Sequence, residues 1–350
     1  MEPSIKLTEF SHGAGCGCKI SPEVLNQILN HTSGPESKKV PFPGLLVGND
    51  TRDDAAVLDI GLGQALVSTT DFFMPIVDNP YDFGRIASVN AISDIYAMGA
   101  KPVLAIAILG WPISKLAPEI AGQVLEGARA VCAEAGIPLA GGHSIDCPEP
   151  IFGLSVNGLV KIENLKKNSS AQEGDLLYLS KKLGVGILTT AQKKGLVKSI
   201  DLEKAVHSMT QLNRLGEKLG PLPYINALTD ITGFGLLGHL VEICEGSRLS
   251  AELYFDKIPV FDSVTDYILQ DCIPGGTHRN WDSYGKKISP LTDFQKYILS
   301  DPQTSGGLLI SVQGDKQLDF ENFLIDEGFD KFTPIGKIIA KNNLATILVS

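Results

Sequence analysis

Two cysteines one residue apart, Cys16 and Cys18, stand with His12 and Lys19 in the stretch "SHGAGCGCKIS" at residues 11–21. Thiols, an imidazole and an ammonium this close together admit a metal site, a redox pair or a thiolate nucleophile. The redox pair is the weakest, because the two cysteines are too close for an unstrained disulfide. A closed zinc site needs four ligands, and the chain has no second Cys/His cluster at ligand spacing. A thiolate at this turn is the stronger reading, since the Lys19 ammonium favours thiolate over thiol. Gly13, Gly15 and Gly17 would let the segment close over a bound ligand. A loose tail with incidental cysteines is the alternative on these residues alone.

Aspartates recur at the ends of apolar segments: Asp53 and Asp54 in "TRDDAAV", Asp71 in "STTDFF", Asp94 in "NAISDIYAMGA" and Asp230 in "LTDITGFG". Taken singly, each reads as a cap or turn residue. As a set they describe one site of oxygen ligands spread over loops, the way Mg²⁺ is held beside substrate phosphates. Two like charges ~4 Å apart repel by about 4 kcal/mol at an effective dielectric of about 20. Several carboxylates facing a polyphosphate therefore require a bridging cation. Asn90 and Asp94 share a helix face with the small residues Ala87 and Ala97, which would let a ligand approach.

The usual nucleotide loops are missing or weak. No G-x-x-x-x-G-K-[ST] occurs; Gly233, Gly235 and Gly238 make a G-x-G-x-x-G after only a fair strand, where helix-start packing explains them better than a dinucleotide. In "AGGHSID", Gly141 and Gly142 could bring backbone N–H groups against a phosphate or ribose, with His143 adding a donor. A tight turn explains that stretch almost as well. "DPQTSGGLL", Asp301 to Leu309, reads as a structural Gly turn into a strand.

The elements that must position these residues alternate in an α/β manner. A strand over "QALVSTTDFFMP" leads to a helix over Asp82–Met98 that stops at Gly99, then a strand in "VLAIAIL". The segment "PEIAGQVLEGARAVCAEAG" places Ile120, Val124, Ala128, Val131 and Ala135 on one helix face, with Cys132 beside that stripe as a core residue. Strands in "IPLAGG" and "FGLSVNGLV" complete a first unit. The polar stretch "KIENLKKNSSAQEG" then marks a junction, so that 1–165 and 166–350 are expected as two domains. A chain of 350 residues is long enough for two cores.

Composition narrows the partners. A formal charge of −10 without a Lys/Arg cluster argues against nucleic acid, and allows an anionic nucleotide only through a divalent cation. Six scattered cysteines suit reduced thiols rather than a disulfide framework. The longest apolar run, Pro102–Ile113, falls short of the roughly 20 residues of a membrane span. The first ten residues lack a signal pattern, and a soluble cytoplasmic protein is expected.

Together, "HGAGCGCK", "RDDAAV", "STTDFFMPIVDNP", "NAISDIYAMGAKP", "LAGGHSID", "TDITGFGLLGHL" and "DPQTSGGLL" resemble selenophosphate synthetase, also called selenide, water dikinase, in order along most of the chain. The resemblance implies a two-domain α/β (α+β) fold of the aminoimidazole ribonucleotide synthetase type, with the N-terminal domains forming a dimeric β-barrel and an α/β C-terminal domain. It implies that ATP, selenide and water give selenophosphate, AMP and orthophosphate, the product donating selenium for selenocysteine and selenouridine. It places the nucleophile on Cys16 and the essential lysine on Lys19. Mg²⁺ ligands fall on Asp54, Asp94 and Asp230. ATP contacts fall on Lys19, Thr51, Arg52, Asp53, Asp71, Asp94, Gly141, Gly142 and His143. A monovalent cation such as K⁺ and a protein that delivers selenide are left open.

Overall fold

The computed structural model describes residues 5–20, 42–48, 53–329 and 332–350, with isolated positions at 24, 27 and 28. Thr51 and Arg52 lie outside the described residues.

Two six-stranded sheets carry the chain. The first contains β1 (Leu45–Val47), β2 (Ala56–Gly61), β3 (Gln64–Phe73), β4 (Lys101–Trp111), β5 (Leu139–Asp146) and β6 (Ile151–Lys161), in the order β1-β2-β3-β6-β4-β5. Alternation in β3 sends Ala65, Val67 and Thr69 inward, the period that a half-buried strand requires. β3 pairs antiparallel with β6 along its length, from Gln64 opposite Lys161 to Phe73 opposite Phe152. Only β4 and β5 run parallel, and they are joined through a helix, as parallel neighbours must be.

Helix α1 (Pro80–Ala97) opens with Asn79, whose side chain accepts the Asp82 N–H, and with proline in its first turn. It closes at Gly99, whose φ of +70° suits glycine. Fourteen of its residues are buried, because it lies on β3 and β6, against α2 (Pro118–Ala135), and also reaches the second sheet. Glycines let the two helices touch: a Cβ on Gly84 would stand 1.9 Å from the Val124 carbonyl oxygen, and one on Gly127 would stand 2.0 Å from that of Tyr81.

The second sheet contains β7 (Leu176–Leu179), β8 (Ile225–Asp230), β9 (Ser250–Leu253), β10 (Leu308–Val312), β11 (Gly336–Ile339) and β12 (Ile347–Val349), ordered β12-β9-β11-β7-β10-β8. All of β10 is buried, as a continuous apolar strand in the middle of a covered sheet should be. The first sheet lies within residues 45–161 and the second within 176–349, with the polar junction between them.

Two expectations are refined. "AGGHSID" is no tight turn: it continues β5 to Asp146 as the exposed edge of the sheet. The first sheet is open, with β1 and β5 at its edges, so no barrel closes within one chain. No helix among the described residues is long and apolar enough to cross a membrane.

Candidate active site

Cys16 sits in the short 3-10 turn Gly15–Cys18 and is only 1% exposed. Its N–H donates to Thr304 Oγ1 at 3.1 Å, and its Sγ–H donates to Asn90 Oδ1 at 3.2 Å. Asn90, from the middle of α1, is a hub. The same Oδ1 accepts the Ser305 N–H at 2.9 Å, while Nδ2 donates to Asp71 Oδ2. Lys19 Nζ stands 3.4 Å from both Asp71 oxygens. Thiol, amide, carboxylate and ammonium thus form one connected chain.

The turn is held from several sides. Gly15 N–H donates to the Met74 carbonyl, Arg279 donates to the Gly17 carbonyl at 2.8 Å, and Lys193 reaches the carbonyls of Gly13 and Ser11 at 3.4 and 3.5 Å. The Gly-rich segment expected to close over the site is therefore seated on it here. His12 turns to Glu149, at 2.9 Å from Nδ1 to Oε2. Its bond draws the Glu149 carboxyl below the usual range.

The acidic groups converge from both sheets. Asp94 Oδ2 accepts from Thr69 Oγ1 at 2.5 Å, and Asp54 Oδ1 accepts from Thr229 Oγ1 at 2.9 Å. Asp230 ends β8 and is bonded by Ser93. Burial first, and neighbouring carboxylates next, push Asp54 and Asp94 well above the ordinary carboxylate range. Burial raises Asp230 too, partly offset by Ser93, His239 and Lys19. Enclosure opposes the charge on Lys19, but Asp71, then Cys16, Asp94 and Asp230, outweigh it and raise its pKa.

Asp54 Oδ2 and Asp230 Oδ2 are buried without a hydrogen-bond partner. Unsatisfied buried carboxylate oxygens call for an explanation, and a hard divalent cation supplies one. Among the described residues no three His, Cys, Asp or Glu side chains are grouped closely enough to hold a metal ion unaided; a Mg²⁺ ion between these acids would be completed by water and substrate phosphate.

Not every expected residue joins this centre. Asp53 Oδ1 accepts the Asn168 N–H at 2.8 Å, tying the start of the first sheet to the inter-domain junction. Gly141, Gly142 and His143 line a separate groove of about 230 Å³ with Ala107, Leu109 and Arg129. Gly142, at φ +155°, lies so near β4 that a Cβ would stand 2.1 Å from the Ala107 carbonyl oxygen.

One reading of a glycine turn is extended and another holds. "DPQTSGGLL" was expected to be structural, yet Thr304 and Ser305 bond the Cys16 turn and Asn90; Ser305 takes a left-handed φ of +51°, uncommon outside glycine. In the G-x-G-x-x-G the helix-start packing holds: Gly235 opens a helix (Gly235–Ser247), and Gly233 lets the Cys16 turn approach, since a Cβ there would stand 2.5 Å from the Cys16 carbonyl oxygen. A glycine beside a Ser or Thr gave the sequence signal for either contact.

Asp301 anchors that loop from a fully buried position. Its Oδ2 accepts from Gly186 N–H at 2.9 Å and from Gln303 at 2.8 Å, while Oδ1 has no partner. Burial pushes its pKa up to about 8, against about 3.9 in an unfolded chain. Between those values the native state holds the extra proton, so this group's contribution to stability falls as pH rises, by at most about 1.4 kcal/mol per pH unit. Asp301→Asn, whose oxygen can accept both bonds, should remove that component. Urea midpoints at pH 6 and pH 9 should lie closer together in the variant than in the parent; an equal spread would contradict the assignment.

The matched families fit this geometry. Residues 52–160 match the N-terminal domain, and residues 172–349 the C-terminal domain, of AIR synthase related proteins. Thiamine-monophosphate kinase from Stenotrophomonas maltophilia K279a superposes with a TM-score of 0.65 at 20% identity, covering 93% of this chain and 95% of that one. The fold is that of the AIR synthase class.

Sequence goes further. "Selenide, water dikinase" of Yersinia pseudotuberculosis serotype I is 57% identical over 346 residues, 99% of this chain and 98% of that protein. The protein of the same name from Photorhabdus laumondii is 61% identical over 312 residues, 89% of each. The chain belongs to the selenide, water dikinase family.

Proposed function

We propose that the cleft between the two sheets binds Mg²⁺–ATP and transfers a phosphoryl group to selenide delivered at Cys16. The protein is an ATP-dependent transferase that makes selenophosphate, with AMP and orthophosphate as the other products. The observation that carries the site assignment is the chain Cys16–Asn90–Asp71–Lys19 running beside two orphaned carboxylate oxygens.

Each residue then has a task. Asp54, Asp94 and Asp230 would hold Mg²⁺, which when bound neutralises phosphate charge and relieves the repulsion among the three acids. Lys19 places its ammonium where charge spreads on the transferring group. Asp71 and Asn90 fix Lys19 and the thiol relative to one another. Cys16 suits selenide delivery better than attack on phosphorus, since soft sulfur matches a soft selenium partner. Thr51, Arg52, Asp53 and the Gly141–His143 edge are proposed ATP contacts from the family resemblance.

The chain is further proposed to be a cytoplasmic homodimer through the open sheet. Leu58, Ile60, Phe72, Val103, Ile106 and Ile145 are 36–57% exposed on its strands, an apolar display large enough to mark an interface. Sedimentation should give twice the chain mass, and Phe72→Lys with Ile106→Lys should give the monomer.

The reaction is tested by anaerobic incubation with ATP and Mg²⁺, with and without selenide. Selenide-dependent AMP and orthophosphate in equal amounts are expected. ADP as the end product, or turnover on thiamine monophosphate instead, would overturn the reading. Exchanging K⁺ for Na⁺ in the same assay tests the monovalent cation.

A further inference from the structure

Beside the Cys16 turn lies a cavity of about 530 Å³ whose wall includes Lys19, Lys193, Arg279, Thr189 and the glycines 275 and 276. Among the described residues no Asp or Glu lines it, in a chain whose formal charge is −10. Lys19 is offset by Asp71, and His12, also in the wall, by Glu149. Lys193 and Arg279 are different. Among the described residues they bond only to main-chain carbonyls of residues 11, 13 and 17, so their charge is not cancelled by a carboxylate.

Cys16 itself is not in the cavity wall. Between them lies a crevice of about 10 Å³, bordered by Cys16, Gly233, Phe234 and Asn280, which shares Gly17, Lys19, Gly276 and Arg279 with the cavity, so an anion in the cavity reaches the thiol only when the turn shifts. Cys16 Sγ–H also donates to Asn90, which bonds Asp71 beside the acidic cluster that would receive Mg²⁺–ATP. A small anion approaching there would meet carboxylates and a polyphosphate. On the cavity side it meets two uncompensated cations, and a cleft lined by one sign of charge concentrates the opposite ion.

We propose that this cavity is the inlet by which selenium, as the small anion hydroselenide, reaches Cys16, with Arg279 and Lys193 as the charges that draw it in. The inference rests on the selenide-dependent reading of the active site.

The test uses two alkylating reagents of similar size and different charge, with the protein intact and ATP absent. In each, the Cys16 sulfur displaces iodide and forms a thioether; iodoacetate is an anion and iodoacetamide is neutral. Modification at Cys16 is read by peptide mass spectrometry. In Arg279→Gln/Lys193→Gln, the iodoacetate-to-iodoacetamide rate ratio should fall by about tenfold, and added salt should lower it in the parent far more than in the variant. Because both side chains also hold the turn, the two rates can move together, so the ratio is the readout, and Arg279→Lys should keep most of the parent ratio. In turnover, kcat/KM for hydroselenide should fall by about tenfold. An unchanged ratio, or an equal change in both reagents' rates, would overturn the inlet, the latter by making the two cations mere supports of the turn. Because alkylation needs no nucleotide, a failure of the inlet is distinguishable from a failure of the proposed reaction.

Discussion

Cys16→Ser should abolish selenophosphate formation at limiting selenide, by about 1000-fold or more, while leaving the fold and nucleotide binding in place. The serine hydroxyl can donate to Asn90 Oδ1 as the thiol does, and the backbone bond to Thr304 needs no side chain. What disappears is the soft sulfur, and a loss of this size corresponds to about 4 kcal/mol of transition-state stabilisation. The prediction separates delivery from architecture. Near-parental melting temperature and ATP affinity with no phosphorus–selenium product would place the role of Cys16 in chemistry. Full output from the serine variant at limiting selenide would remove Cys16 from the mechanism.

Asp94→Asn should produce opposite effects on activity and stability. Asp94 is buried, bonded by Thr69, and crowded by Asp230 and Asp71. Neutralising it removes part of the repulsion from Asp230 and Asp71, which Lys19 and the Thr69 bond offset only in part, so the variant should melt higher by roughly 2 °C or more. The sign with pH follows from the raised pKa: the native acid holds its proton longer than the unfolded one, so its contribution to stability falls as pH rises through the native pKa. The advantage of the variant should therefore widen as pH rises above the ordinary carboxylate range. Activity should fall by about 100-fold or more, because the Mg²⁺ site loses a charged ligand. Added Mg²⁺ with ATP should raise the melting temperature of the parent more than that of the variant. A variant that is less stable and equally active would contradict the cluster's role.

Much of this site was legible because charge and periodicity report independently. Asp71, Asp94 and Asp230 each lie in or at the end of an apolar element, where a carboxylate has no reason to stay unless the fold uses it. Asn90 could be paired with Asp94 from helical spacing alone. Its bonds to a thiol 74 residues away and a backbone N–H 215 residues away could not be inferred, since spacing carries no information on long-range contacts. Thr304 and Ser305 were missed for a related reason: Gly-rich turns have the same composition whether they only turn the chain or also hold a catalytic loop. Gly233 belongs with them, because the need for a missing side chain is set by the partner that approaches.

The fold was legible to the level of its elements. Both long N-terminal helices end at glycines in left-handed conformations, and β3 alternates inward. Closure was not legible within one chain. β5 stays a bare edge carrying Gly141, Gly142 and His143, and the strands of its sheet carry exposed apolar side chains such as Leu58, Phe72 and Ile106. Gly141, Gly142 and His143 lie outside the Cys16–Asp94 centre for that topological reason.

Phosphorus NMR of an anaerobic mixture of the protein, Mg²⁺, ATP and selenium-77-labelled selenide tests the central claim most directly. The account predicts a phosphorus resonance split by selenium-77 that grows in step with AMP and is absent without protein. Consumption of ATP with no selenium-split phosphorus resonance would contradict it.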